Sequence, residues 1–285
     1  MTETILQIEH LSKFFRRFEA LQDINLSVDR GRVYGLVGQN GAGKTTLLRL
    51  ICGLMKPTKG FVGLQTEKTF IGYMPQSCRF DDGSSVADTI RFFARIRKAD
   101  VKESILLGEK LRLDMSKKIK YLSPGQQKKL QMVIAMTGEP DLYILDEPTA
   151  GLDPNATCEM KNIMKGIHDS GKSIILSSHI LGDMDEICTD IAIMEHGRLV
   201  FNNTIESCYL VKTSVVTNKM LQSLSMEFRI SADTAGTTLT AKIPKEEVPN
   251  LLQALMAQNI NVYEVAAANV RNIIQEQLHF LEEVS

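Results

Sequence analysis

The sequence predicts an α/β fold built on a mostly parallel sheet, followed by a small α+β domain at the C-terminal end. Two observations predict the α/β part. Short apolar runs alternate with helical patterns through residues 3–205, and a glycine-rich loop follows the apolar run Val33–Val37. A third observation agrees with a boundary near residue 205. Residues 206–285 carry 6 Lys/Arg and 9 Asp/Glu, whereas the preceding residues carry 27 and 25.

The segment around which the chain is organised is this loop, which reads GQNGAGKTT. Its residues are Gly38, Gln39, Asn40, Gly41, Ala42, Gly43, Lys44, Thr45 and Thr46. They fit the phosphate-loop pattern G-x-x-x-x-G-K-[ST], with a strand pattern before it and a helical run after it. Glycine lets the backbone aim successive N–H groups at one anion, and the helix N-terminus adds positive charge there. We expect Lys44 to reach the β- and γ-phosphates of a nucleotide and the Thr45 hydroxyl to bind Mg²⁺.

The bulk properties limit the kinds of partner to expect. The 285 residues carry a formal net charge of −1, which gives no reason to expect nucleic acid. Five cysteines are scattered without a C-x-x-C pair, which predicts reduced thiols in a cytosolic protein. No apolar run approaches the length of a membrane span, and the N-terminus lacks the features of a signal peptide. We therefore expect a cytoplasmic protein whose membrane role comes through a partner.

The N-terminal part has strand patterns on both sides of the loop. Strands are predicted at Thr4–Leu11 and Ile24–Val28, and two more at Phe61–Leu64 and Thr69–Tyr73 around a turn. Three phenylalanines among basic residues follow the first strand; they either fill the core or include one ring that stacks on a base. Gln76 follows the last of these strands, where a polar residue is an ordinary surface-loop feature.

Two helical segments come next. Residues 84–113 have an amphipathic helical pattern whose basic face is typical of a solvated surface. A second helix is predicted from Ser123 to about Met136. Ser123 suits the N-cap, Pro124 the first helical position, and Gln126 the third position of a capping box. From these residues alone, the segment is a well-capped helix.

Carboxylates mark the end of the next buried strand. Leu142–Leu145 leads into Asp146 and Glu147, which are costly to place there unless they act on a ligand. Ligands of open parallel sheets bind at the carboxyl ends of the strands. Asp146 can hold Mg²⁺ through water, and Glu147 can deprotonate an attacking water. His179 follows the predicted strand Ser173–Ser178 and is either structural or a contact to the γ-phosphate.

The remaining elements complete two predicted domains. A helix to about residue 167 and a hairpin around residues 195–197 complete the first domain, residues 1–205. Residues 206–222 are predicted to be a linker, and residues 223–285 a small α+β domain. In that domain, strands are predicted at 227–230, 238–243 and 260–265, and helices at 246–258 and 272–283. Nothing there has catalytic spacing, so we expect a role in regulation or docking.

Taken together, the motifs of residues 3–205 resemble the nucleotide-binding subunit of an ABC transporter. An aromatic residue, the phosphate loop, a Gln loop, a signature helix, an Asp-Glu strand, an Asp turn and a His occur in the order typical of that family. The resemblance implies a P-loop NTPase core of the ABC ATPase type. This core has an antiparallel β-subdomain and a helical subdomain at about residues 79–138. ATP and Mg²⁺ are the implied cofactors, and ATP hydrolysis coupled to transport is the implied activity.

The resemblance also implies a role for each motif residue. Phe15 would stack on adenine, Gly38–Thr46 is the Walker A loop, and Tyr143–Asp146 is the Walker B strand. The implied catalytic residues are Glu147, His179, Gln76 and Lys44, and the implied metal ligands are Thr45, Gln76 and Asp146. The other implied nucleotide-binding residues, besides Phe15 and the loop, are Ser123, Gly125, Gln126 and Asp153.

Head-to-tail pairing in this family gives the capped helix a further role. The signature segment Leu122–Gln126 of one subunit would cap the ATP that the phosphate loop of another subunit holds. The implied partners are therefore a second ATPase subunit, identical or related, and a separately encoded membrane permease. Two residues depart from the family pattern. Phe15 replaces the usual Tyr but can still stack, and Pro124 replaces a signature Gly and removes one backbone N–H; we expect activity to survive.

The C-terminal part bears on the direction of transport. Residues from about 223 onward resemble the small domain of ATPases that serve drug, bacteriocin and bacitracin-type peptide exporters. This favours an exporter whose ATPase lies on the inner face of the cell membrane. The alternatives are a soluble ABC ATPase acting on ribosomes, DNA or cluster assembly, and a regulatory module with an inactive site. A single cassette argues against the first alternative, and intact Lys44, Asp146, Glu147 and His179 argue against the second.

Overall fold

The chain divides into two compact units, Met1–Asn203 and Thr204–Ser285. A computed structural model describes residues 3–65, 69–180, 184, 187–204, 208–233, 235–243 and 245–267. The division lies close to the boundary that the sequence predicts at residue 205. Within the described ranges, no helix is both long enough and apolar enough to cross a lipid bilayer.

The first unit contains two sheets and a group of helices. Its strands are β1 (Thr4–Phe15), β2 (Phe18–Asp29), β3 (Val33–Val37), β4 (Lys59–Leu64), β5 (Ile71–Met74), β6 (Leu142–Asp146), β7 (Ser173–Ser178), β8 (Asp190–Glu195) and β9 (Arg198–Thr204). Its helices are α1 (Lys44–Ile51), α2 (Val86–Ile96), α3 (Val101–Lys110), α4 (Pro124–Met136) and α5 (Pro154–Asp169).

The larger sheet places the functional motifs along one edge. Its strand order is β5-β6-β7-β3-β8-β9, and the neighbours from β5 to β8 are parallel. Strands β3, β6 and β7 are buried along their whole length, as expected for the central strands of a parallel sheet. Val37 pairs with Ser178, and Asp146 pairs with Ser177. The carboxyl ends of these three strands therefore lie side by side.

The smaller sheet has the antiparallel order β2-β1-β4. The two strands predicted at residues 61–64 and 69–73 correspond to β4 and β5, and they have different partners: β4 pairs with β1, whereas β5 pairs in parallel with β6. Periodicity identifies a strand without identifying its partner, so the sequence left this pairing open. Helix α1 packs between the sheets, with Leu47 and Leu48 in the shared core.

The helices α2, α3 and α4 form a separate cluster beside the larger sheet. The helical pattern over residues 84–113 breaks into α2 and α3, because the Asp100 side chain caps a new helix by accepting hydrogen bonds from the N–H groups of Lys102 and Glu103. The buried core of this cluster comprises Val86, Ile90, Leu113, Ile119, Leu122, Leu130, Val133 and Ile134. Helix α4 begins after Ser123 and ends at Met136, as predicted.

The second unit has its own sheet and core. Its elements are β10 (Cys208–Thr213), α6 (Asn218–Leu224), β11 (Ile230–Ala232), β12 (Thr238–Lys242), α7 (Val248–Ala257) and β13 (Val262–Ala267). The antiparallel sheet has the order β11-β12-β10-β13. The predicted helix at 272–283 lies outside the described residues.

The linker predicted at residues 206–222 is wrong. Strand β10 lies within it and is a central strand, because it pairs with both β12 and β13. Val211 of this strand is fully buried in the core of the unit. The charge composition changes at residue 206, where the linker was predicted to begin. The apolar alternation that forms β10 begins two residues later, at Cys208.

Candidate nucleotide site

The phosphate loop folds tightly over its own lysine. Gly41 and Gly43 have φ angles of 87° and 107°, a region that side chains rarely allow. A Cβ atom on Gly38 would lie 2.4 Å from the carbonyl oxygen of Met194, so only glycine fits there. Lys44 is buried, and its Nζ donates to the carbonyl oxygens of Gly38 at 2.5 Å and Gln39 at 3.2 Å. The loop thus holds the lysine ammonium at the carboxyl edge of the sheet.

Asp146 is fully buried at the end of β6 and has one oxygen without a partner. Its Oδ1 accepts hydrogen bonds from the hydroxyls of Ser177 at 2.7 Å and Thr45 at 3.2 Å. Its Oδ2 is buried and has no hydrogen-bond partner within the described part of the chain. A buried carboxylate oxygen left in this state is costly unless a ligand completes it. The hydroxyl of Thr45 and the carboxylate of Asp146 are the oxygen ligands that Mg²⁺ prefers, so these residues fit that ion.

Glu147 is buried and has a strained backbone conformation that contacts from several residues maintain. It is 4% exposed, and its φ angle of 50° lies in the left-handed region that non-glycine residues rarely adopt. Its backbone N–H donates to the hydroxyl of Ser177 at 2.9 Å. One carboxylate oxygen, Oε2, lies 2.8 Å from Nδ1 of His179. The other, Oε1, makes no hydrogen bond to any residue that the structure describes but lies 3.4 Å from Nζ of Lys44, close enough for an ion pair.

A cavity of about 470 Å³ opens over these groups. It is lined by Phe15, Phe18, Ala20, Gln39, Asn40, Gly41, Gly43, Lys44, Thr45, Thr46, Gln76 and Glu147. Phe15 is 42% exposed, so the interpretation of this ring as a core side chain is wrong. The Lys13 ammonium lies 5.3 Å from the centre of the Phe15 ring. The cavity is therefore lined by an aromatic ring as well as by the phosphate loop.

The signature residues lie outside this cavity. Ser123 and Gln126 form the predicted capping box, in which each side chain bonds the backbone N–H of the other residue at 3.2 Å. Asp153 is likewise a helix cap, accepting a hydrogen bond from the N–H of Ala156 at 2.9 Å. Of the residues implied to bind nucleotide, Ser123, Gly125, Gln126 and Asp153 are thus not brought to the phosphate loop of the same chain.

The sequence did not indicate a buried lysine of the site, Lys128. Its side chain is 8% exposed, and its Nζ donates to the carbonyl oxygens of Glu147 at 2.9 Å and Gln76 at 3.0 Å. Burial lowers the pKa of Lys128, while the carboxylates of Asp146 and Glu147 act in the opposite direction. A lysine in a helix usually faces solvent, so no pattern in the sequence distinguishes it.

The fold and this geometry define a class of protein. A phosphate loop between a parallel strand and a helix, with two buried carboxylates at the carboxyl end of another strand of the same sheet, is the nucleotide site of a P-loop ATPase.

Comparisons with known proteins identify the family. The family model described as "ABC transporter" matches residues 21–150. An uncharacterized ABC transporter ATP-binding protein of Methanocaldococcus jannaschii, MJ1023, is 35% identical over 207 residues, covering 70% of this chain and 78% of that protein. The uncharacterized ABC transporter ATP-binding protein YhcH of Bacillus subtilis is 30% identical over 283 residues and covers 92% of each chain. A solved ATP-binding subunit of an ABC transporter superposes with a TM-score of 0.65 at 29% identity, covering 71% of this chain and 90% of that one.

The chain belongs to the family of ATP-binding subunits of ABC transporters. It is an ATP hydrolase of the ABC type, and the predicted fold class is confirmed. The cavity over the phosphate loop is therefore the candidate site for ATP.

Proposed function

We propose that this chain drives a separate membrane permease, through pairing of two ATPase subunits around ATP, and that the permease is an exporter. The observation that carries the catalytic part is the position of Glu147. Its carboxylate is buried, contacts His179 and Lys44, and lies at the same strand end as the unpartnered oxygen of Asp146. Three chemical groups thus lie close together: a proposed base for water (Glu147), a cation for phosphate (Lys44) and a metal ligand (Asp146).

Each residue of this site has a distinct task. Lys44 binds the β- and γ-phosphates, and Phe15, which lines the same cavity, stacks on the adenine. Thr45, Asp146 and Gln76 would hold Mg²⁺, and the metal would neutralise charge on the phosphates. Glu147 takes the proton from the attacking water, a contribution of about 10²–10⁴ in rate. His179 holds Glu147 in place and contacts the γ-phosphate.

The pairing part of the proposal rests on the residues that are implied to bind nucleotide but do not line the cavity. Ser123 is at the N-terminus of α4, where backbone N–H groups and the helix dipole favour an anion. The residues at the start of α4 do not line the cavity over the phosphate loop. A nucleotide in that cavity therefore does not reach the start of α4 in the same chain. A second subunit placed head to tail would bring Ser123, Gly125 and Gln126 to the γ-phosphate and Asp153 to the shared interface. Pro124 fits the first helical turn and leaves Gly125 as the nearest flexible donor.

The permease part of the proposal is supported by an exposed apolar surface on α2. Phe92 is 58% exposed and Ile96 62% exposed, and they line a surface groove with Asp88, Arg91 and Arg95. Large exposed apolar side chains grouped on one helix are typical of an interaction site. We assign this groove to a segment of the permease.

Relatives support transport in general and divide on its direction. The Nod factor export ATP-binding protein I of Cupriavidus metallidurans is 32% identical over 211 residues. The methionine import ATP-binding protein MetN 3 of Oceanobacillus iheyensis is 28% identical over 249 residues. We favour export because the C-terminal unit resembles that of exporter ATPases.

Capture from the native membrane tests the permease part. Tagged protein, extracted with a mild detergent, is expected to retain one polytopic membrane protein encoded beside its own gene. The double variant Phe92→Ser, Ile96→Ser should lose this protein while keeping its ATP affinity. The matched control is Val200→Ser, another exposed apolar residue in the same unit. Retention of ribosomes or DNA in place of a membrane protein would contradict the proposal.

The direction of transport has its own test. Cells that lack the chain should accumulate more of a toxic peptide or drug from a screened panel, and should be killed at lower doses. A strain that instead requires an added nutrient, and shows no change in sensitivity to the panel, would point to import.

A further inference from the structure

We propose that Lys128 is a positioning residue that holds the base Glu147 and the loop residue Gln76 in one fixed geometry from within helix α4. This inference rests on the proposed role of Glu147 in hydrolysis. It adds a link between the helix that begins at the signature segment and the residue that activates water.

The contacts of Lys128 join three separate parts of the chain. Its ammonium group donates to the carbonyl oxygen of Gln76, which follows β5, and to that of Glu147, which follows β6. Lys128 itself belongs to α4. An ammonium group has three donors arranged around one centre, so a single lysine can satisfy carbonyl groups from two loops at once. Hydrogen bonds from a charged donor are shorter and stronger than neutral ones.

The strain at Glu147 gives this contact a purpose. Its left-handed backbone costs energy and persists only where the surroundings impose it. The hydroxyl of Ser177 binds the N–H of Glu147 on one side, and Lys128 binds its carbonyl oxygen on the other. The two contacts together set the direction in which the side chain leaves the backbone. Without Lys128, the carbonyl oxygen of Glu147 keeps only the longer backbone hydrogen bond from the N–H of Ala150, at 3.3 Å. The peptide after Glu147 is then held less firmly, and we expect the carboxylate to move away from His179 and Lys44.

The place of Lys128 in α4 connects this geometry to subunit pairing. The same helix starts at Ser123, which the proposed partner nucleotide would contact, and its first turns are rigidly hydrogen-bonded. A small shift of α4 when the two subunits close therefore moves the ammonium group, and with it the carbonyl oxygens of Gln76 and Glu147. Binding of the second subunit would in this way change the position of Glu147 through a single helix.

A purely structural role for Lys128 predicts a different outcome from a positioning role. Lys128 does not line the nucleotide cavity, so its loss should leave ATP affinity intact if the fold survives. A misplaced base slows the chemical step instead, and a displacement of about 1 Å can cost about 10²-fold in rate. A fall in kcat at unchanged ATP affinity is therefore the signature of positioning.

The test compares Lys128→Met with Lys129→Met in the full-length chain. Lys129 is the matched control, because it lies on the same helix and pairs with Glu159 at 2.6 Å, away from the base. We expect Lys128→Met to lower kcat about 10²-fold with the Kd for a fluorescent ATP analogue within twofold of wild type. Lys129→Met should keep both quantities within twofold. Lys128→Gln retains an amide donor and should recover part of the lost kcat.

Three results would overturn the inference. One is a Lys128→Met protein with kcat within twofold of wild type, and another is a fall in kcat matched by an equal loss of ATP affinity. The third result applies if Lys128→Met does not fold, and it comes from Lys128→Gln. That protein would have normal thermal stability and the same kcat as Lys129→Met. Glu147→Gln separates this failure from failure of the proposed function. If Glu147→Gln hydrolyses ATP like wild type, the role of Glu147 is lost as well, whereas a slow Glu147→Gln beside a fast Lys128→Met removes only the inference.

Discussion

At the scale of single residues, the site is a set of buried charges that balance one another. Lys44 and Glu147 are each less than one-tenth exposed and lie 3.4 Å apart at their charged atoms. Burying either charge alone would be strongly unfavourable, so the pair and its hydrogen bonds must be kept together. Substitution of Lys44 should therefore disturb both nucleotide binding and the position of Glu147.

How far the sequence predicts such residues depends on what they contact. Asp146 and Glu147 were predictable because carboxylates directly after a buried strand are costly without a function. Lys44 and Thr45 belong to a motif whose chemistry requires them. Lys128 was not predictable, because its partners are the backbone carbonyls of residues 76 and 147, and only the folded chain brings those together. The same holds for Ser177, whose hydroxyl supports both Asp146 and Glu147.

Cys52 provides a prediction about reactivity at this scale. Burial first, and the nearby carboxylate of Asp146 second, raise its pKa to about 12. Because the thiolate is the reactive form, only about one molecule in ten thousand is reactive at pH 8. Brief treatment of the native protein with iodoacetamide at that pH should label exposed Cys158 and leave Cys52 unlabelled, as read by peptide mass spectrometry. Equal labelling of both would contradict the raised pKa of the partly buried Cys52.

The raised pKa of Cys52 also makes the free energy of unfolding depend on pH. The raised pKa means that unfolding releases a proton once the pH exceeds the ordinary thiol value of 9.0. The contribution of Cys52 to the free energy of unfolding is therefore complete below about pH 9 and is lost progressively as the pH rises toward 12.

At the scale of elements, the N-cap of the signature helix α4, Ser123, has one observed role and one proposed role. Ser123 caps the helix with its hydroxyl, and the same helix start is the proposed contact to the partner's nucleotide. The capping box was visible in the sequence, since each of its residues acts on a neighbour three positions away. The pairing of β4 and β10 was not visible, since strand partners are set by contacts far apart along the chain.

Ser123→Ala should lower the free energy of unfolding of the first unit by about 1 kcal/mol, because the N–H of Gln126 loses its acceptor. Urea denaturation followed by circular dichroism measures the change. Ser123→Asp keeps an acceptor at the cap and serves as the control, with a loss well below that of the alanine variant. Equal losses for both variants would mean that capping is not what Ser123 contributes.

At the scale of the whole molecule, the chain consists of an ATPase unit and a smaller unit with a separate core. The smaller core comprises Val211, Val216, Leu224, Leu239, Ala241, Ile243, Leu251, Leu255 and Ile260. The proposed nucleotide-binding residues all lie in the first unit. The sequence predicted this division through a change in charge, but placed the start of the second unit too late because it assigned β10 to a linker.

This division predicts how ATP changes thermal unfolding. Differential scanning calorimetry of the intact chain should resolve two transitions, one for each core. ATP at 100 times its Kd should stabilise the first unit by about 2.7 kcal/mol and leave the transition of the second unit in place. A single transition, or an equal shift of both, would show that the two units unfold as one.

The central claim is that each site is completed by the signature segment of a second subunit. It predicts that Glu147→Gln, which binds ATP but lacks the base, accumulates as a pair. Light scattering after size-exclusion chromatography should show a monomer with ADP and Mg²⁺ and a doubled molar mass with ATP and Mg²⁺. Adding Ser123→Arg to Glu147→Gln should keep the protein monomeric with ATP, although its ATP affinity stays within a few-fold. A protein that remains monomeric in every condition, or a Ser123→Arg variant that pairs as well as its parent, would contradict the claim.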